Sequence, residues 1–187
     1  METTGNERVG GAVTLGLLAA WAVHDAEEVA TVPGWLRRNV PRLRTRLPAV
    51  PEAVWRQAES VDRRRFAAAV GVMGTVVAAA SAAGRLSGGR SAFYQSAVDG
   101  FGLHGLVHLA QAAAFRGYTP GSVTSSLVVV PYALWARGRL RRAGVLRPAR
   151  PRDLATGLAL AGAATAASHV ISRTLFERVR QVWGVSP

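Results

Sequence analysis

The chain has 187 residues, room for one domain, and no cysteine, which excludes disulfides, iron–sulfur clusters and thiol catalysis. Nearly half of it (49%) is apolar, and its net charge of +12 is carried by arginine, with no lysine. The arginines border the apolar blocks and no aromatic-studded basic surface accompanies them, so the charge suits lipid headgroups and topology control and argues against nucleic acid.

The apolar residues fall in long blocks rather than in an amphipathic pattern. This predicts an all-α polytopic membrane bundle of about five transmembrane helices, organised as one integral-membrane domain over 1–187. The first span is expected over 9–32, and its first fifteen residues, Val9 to Val23, carry no charge. A cleaved signal peptide is the rival reading there, because Ala20-Trp21-Ala22 fits a small-x-small site. Pro33-Gly34 is expected to end this helix, and Pro41, Pro48 and Pro51 to prevent one long helix through the basic stretch that follows. Glu52 to Arg65 reads as a short surface helix with Trp55 at the interface.

The second span is expected over 66–84, free of charge and rich in small residues that allow close helix packing. Arg85 to Arg90 reads as a turn. The third span, 93–115, is polar for a membrane helix and carries Asp99, His104, His108 and Gln111. Tyr118-Thr119-Pro120-Gly121 is a tight connection in which Pro120-Gly121 suits the centre of a type II turn, or Pro120 opens the next helix. Thr119 or Ser122 is a candidate cap. The fourth span is expected over 122–137, kinked at Pro131. A solvated loop over Arg137 to Arg152 and a fifth span over 154–172, with His169 near its end, complete the pattern. The arginine bias between the two sides of the membrane is weak and leaves the orientation open.

The chemistry concentrates at His24-Asp25-Ala26-Glu27-Glu28. An ionisable group inside a membrane costs roughly 2.5–3.5 kcal/mol on insertion scales, so such groups mark function. His24, Glu27 and Glu28 stand at i, i+3 and i+4 and share one helix face, while Asp25 lies about 100° round the axis. His104 and His108 share a face in the same way. Spans one, three and five run in one direction, and His24, His108 and His169 each follow the start of their span by fifteen residues. At about 1.5 Å per residue, all three sit roughly 22 Å from the starting face.

An HxxEE motif at His24-Glu27-Glu28, a later histidine at His108 (with His104 the other candidate) and a YxPG motif at Tyr118-Pro120-Gly121 occur in this order. Together they resemble the HXXEE domain family of small multi-spanning membrane proteins, over about residues 10–172. The resemblance implies no substrate, so the functional reading rests on the residues. HxxEE is also similar to the inverted zinc motif H-x-x-E-H, but a glutamate replaces the last histidine, which argues against a protease.

The first function class is therefore a metal-dependent membrane enzyme acting on a lipid or isoprenoid-like small molecule. Its ligands to one or two divalent ions, zinc or iron, are His24, Glu27, Glu28 and His108, with His104 or His169 completing the set. Glu27 or Glu28 is the catalytic carboxylate, and the pair is expected to divide the work, one at the centre and one behind it. Asp99, Gln111 and Tyr118 line the site. The second class is a small transporter or proton relay using the same groups. The third is a haem-binding or structural membrane subunit with paired histidines as axial ligands. The expected location is the plasma membrane of a bacterium.

Overall fold

The computed structural model describes residues 9–148 together with Gly162. Apart from that glycine, the fifth expected span near 154–172 lies outside the described residues, and so does His169. The described residues are all-helical, without strands. The elements are α1 (Gly11–Arg46), α2 (Glu52–Glu59), α3 (Arg63–Leu86), α4 (Ala92–Phe115), α5 (Ser122–Thr124), a π-helical segment (Ser125–Val129) and α6 (Val130–Arg142). The last three follow one another without a break and form one rod.

The first helix overturns an expectation. It does not stop at Pro33-Gly34 but runs on for 36 residues with both Pro33 and Pro41 inside it. Each internal proline forfeits a backbone hydrogen bond and costs about 3 kcal/mol in isolation. Packing offsets this: the Pro33 ring is fully buried and Val40 is 1% exposed. Two residues on, the Trp35 indole donates to the Tyr118 carbonyl at 3.2 Å and meets Phe115 edge-on. The helix ends at Arg46, before Pro48. The polar segment after it is shorter than expected, because a break at Ser60–Asp62 separates α2 from α3, and the Asp62 side chain caps α3 by accepting from the Arg64 amide. Arg44 ties α1 to α2 through Glu52 and Glu59.

Antiparallel to α1, α3 packs along it; α4 packs against α3, the rod and α1, and the rod packs against α1 as well as α4. Small residues set the spacing. The Tyr94 ring fills the space above Gly84, Tyr132 lies over Gly16, and Val129 lies over Gly105. The Tyr94 and Tyr132 hydroxyls both donate to the Val13 carbonyl, at 2.5 and 2.7 Å, so three helices meet at one backbone oxygen. Gln95 bonds Gly89, Val145 and Arg147 and fastens the chain that follows α6 to the start of α4.

The rod differs from expectation in two ways. It runs to Arg142, so the first arginines of the expected loop are helical. Pro131 produces a π segment rather than a simple kink: the residues before it form the wider turn, and the proline enters α6 where its missing amide costs least. Among the described residues one helix, α3, is long and apolar enough to cross a membrane by length and composition. The apolar half of α1 contains His24, Asp25, Glu27 and Glu28, and α4 contains Gln95, Asp99 and two histidines, which lower their hydropathy. Of these groups, His24, Glu27, Glu28 and the two histidines of α4 build the site.

Candidate metal centre

Parallel α1 and α4 bring His24 and His104/His108 to one level, and the α4-to-rod connection closes over them. Ligand atoms of His24, Glu28, His104 and His108 all lie within 4.8 Å of one another. The His104 Nε2 is 3.1 Å from His24 Nε2 and 2.9 Å from His108 Nε2, and a Glu28 oxygen is 3.3 Å from His108 Nε2. His24 is fully buried and His108 7% exposed. Glu28 is partly covered, and His104 is the exposed member. Phe101 packs edge-on against His24.

The outer ring nitrogens fix the tautomers. His108 Nδ1 lies 2.8 Å from the Pro120 carbonyl, which can only accept, so the proton of the neutral ring is on Nδ1. His24 Nδ1 lies 2.8 Å from Thr124 Oγ1. That hydroxyl donates its own proton to Glu27 at 2.6 Å, so it accepts from His24. Both rings therefore turn a bare Nε2 inward. Two lone pairs, a third imidazole nitrogen and a carboxylate oxygen converge, and acceptors this close repel unless a cation or a shared proton stands among them. Nitrogens on a tetrahedral zinc at about 2.0–2.1 Å are roughly 3.3 Å apart, close to the 2.9–3.3 Å between neighbouring ligand atoms here, while the full set lies within 4.8 Å.

Glu27 is placed differently. One of its oxygens accepts from the Thr124 amide and hydroxyl at 2.8 and 2.6 Å, and the other from the Tyr118 hydroxyl at 2.9 Å. It lies behind His24, joined to it through Thr124. Partial burial and then the Glu27 carboxylate raise the Tyr118 phenol above its usual value, which keeps it a donor.

Thr119 to Ser122 is a type II turn: Gly121 has φ 80° and ψ −10°, and the Ser122 amide donates to the Thr119 carbonyl. Gly121 therefore precedes the rod, and neither Thr119 nor Ser122 caps it through a side chain; the Ser122 hydroxyl donates back to Thr119 instead. A Cβ on Gly121 would fall 2.8 Å from the His108 ring and 2.9 Å from His24. The turn is thus a lid seated directly on two histidines.

Other expected site residues lie elsewhere. Asp99 pairs with Arg137 of α6. Gln111 is exposed, and Asp25 faces α3. Thr124 was missed by sequence reasoning, since a lone threonine carries no metal or acid–base signature. Its place three residues after the Tyr-x-Pro-Gly turn is the signal that could have found it.

The fold and site define a class: an all-helical bundle with a histidine–glutamate centre between its helices. A family profile described as "Protein of unknown function with HXXEE motif" matches residues 15–136, more than half of the chain, and the chain belongs to that family. No curated protein and no solved structure matches it.

Proposed function

We propose that this chain is an integral membrane protein in which His24, Glu28, His104 and His108 hold a divalent metal, zinc or iron, and that the centre works as an enzyme on a lipid or isoprenoid-like substrate. The observation that carries the reading is the inward convergence of three imidazole nitrogens and a carboxylate, with the outer nitrogens of His24 and His108 committed to acceptors. A metal there would polarise a carbonyl or phosphoryl oxygen or generate a nucleophile from water. Glu27 is the positioning residue: through Thr124 it orients His24 and fixes its tautomer, the role a carboxylate behind a ligating histidine commonly has. Glu28 carries a second oxygen at the centre and is the group placed to accept a proton from substrate. The exposed flank at His104 is the side from which substrate reaches the centre.

The membrane part of the reading rests on α3, and on large apolar side chains that α4 and the rod leave exposed, among them Leu106, Val107, Leu127 and Leu134. One observation favours a proton relay instead, the unbroken hydrogen-bonded path from Tyr118 through Glu27, Thr124 and His24 to His104 and His108. Elemental analysis separates the two readings. Detergent-purified wild type is expected to hold stoichiometric zinc or iron, with Glu28→Gln and His108→Ala largely depleted. Absence of metal from wild type grown with ample zinc and iron sinks the enzyme reading and leaves the relay.

A further inference from the structure

On the other side of α1 a cleft of about 630 Å³ opens between α1 and α3. That volume suits a small organic molecule. Its walls are mainly apolar, from Trp21 against Gly74 at one end to Ala30 and Arg63 at the other. Asp25 stands between these ends and is 9% exposed. It accepts no hydrogen bond and forms no ion pair among the described residues, whereas every other carboxylate of α1 and α4 has a partner. Leaving a buried carboxyl unpaired is costly, and a ligand that brings donors and positive charge removes that cost. Arg63 does not supply them: its guanidinium donates to the Ala30 carbonyl at 3.1 Å and forms no ion pair with Asp25. Trp21 lines the same cleft, and an indole attracts a cation.

We infer that the α1–α3 cleft is a second binding site, separate from the histidine centre, for an apolar chain that ends in a protonated amine, with Asp25 pairing with the amine. His24 and Asp25 are neighbours in sequence but about 100° apart around the helix, so one helix serves two sites on two faces. The apolar walls select the chain. The single carboxyl selects a cation over an alcohol, and Arg63 at the end of the cleft offers the only competing charge among its lining residues.

The test is equilibrium binding of labelled n-octylamine, n-octanol and n-octanoate to the full chain in phosphatidylcholine nanodiscs, with empty nanodiscs subtracted. Octylamine is expected to bind saturably, one per chain, at least tenfold tighter than octanol. Asp25→Asn should weaken octylamine at least tenfold, to the level of octanol, and leave octanol unchanged. Gly71 lines the cleft, and a Cβ there meets nothing within 4 Å. Gly71→Leu should therefore fill the cleft without straining the fold, abolish octylamine binding and retain wild-type metal content. Non-saturable octylamine binding, octanoate binding tighter than octylamine, unaltered octylamine affinity in Asp25→Asn, or full binding in Gly71→Leu would each overturn the proposal.

Discussion

At the scale of single residues, the site depends on groups that touch no metal position. Thr124 is the link between Glu27 and His24, accepting from one and donating to the other. Thr124→Val keeps the shape and removes the link, stranding a buried imidazole N–H and leaving the Glu27 oxygen with the Thr124 amide as its remaining donor. It is expected to lower metal affinity about 10–100-fold and stability by about 1–3 kcal/mol, with Thr124→Ser restoring most of both; metal titration and thermal unfolding read the two effects. Gly121→Ala should be worse than an ordinary alanine substitution. Its backbone conformation alone costs a non-glycine residue about 1–3 kcal/mol, and the new Cβ lands on two imidazole rings. A Gly121→Ala protein with wild-type metal content would mean that the turn is not seated on the site as described. The histidines and glutamates were legible in the sequence because rare ionisable groups in apolar helices stand out. Thr124 was not, since its role exists only through a partner nearly a hundred residues away.

At the scale of elements, helical spacing anticipated which residues of α1 share a face, and parallel direction anticipated that α1 and α4 meet at one level. The end of α1 was misjudged because Pro33 was weighed by its local cost, and the burial that offsets that cost is a tertiary effect. The π segment makes a sharper test. A π turn is an α-helix with one residue too many, and Leu127 within it is 71% exposed. Deleting Leu127 should let Ser125–Val129 relax to ordinary α-helix and leave both ends of the rod in register, at a cost on the order of 1 kcal/mol. Deleting Leu134, which is similarly exposed, should rotate everything after it by about 100°, pull Arg137 from Asp99 and cost several times more. Comparable thermal midpoints for the two deletions would contradict this reading of the rod.

At the scale of the whole molecule, one bound ion would clamp α1, α4 and, through the turn, the rod. Saturating metal at a hundred times its Kd adds about 2.7 kcal/mol to the folded state. A chelator that strips zinc or iron should therefore lower the unfolding temperature, readdition of the metal should restore it, and Glu28→Gln should respond to neither. The bundle itself should remain in the pellet after an alkaline carbonate wash of membranes, and its release to the supernatant would end the membrane reading. The site joins His24 to Thr124, two residues a hundred positions apart. That separation gives the centre a place in time as well as in space. During synthesis, His24 and its two glutamates emerge long before the threonine, the turn and the pair of histidines on α4 that complete their surroundings. For most of that interval α1 carries its charges with no counterpart, and a chain halted before residue 124 holds a half-made centre. An ion at this centre would find its complete surroundings only after the rod has docked, so loading would belong to the finished chain.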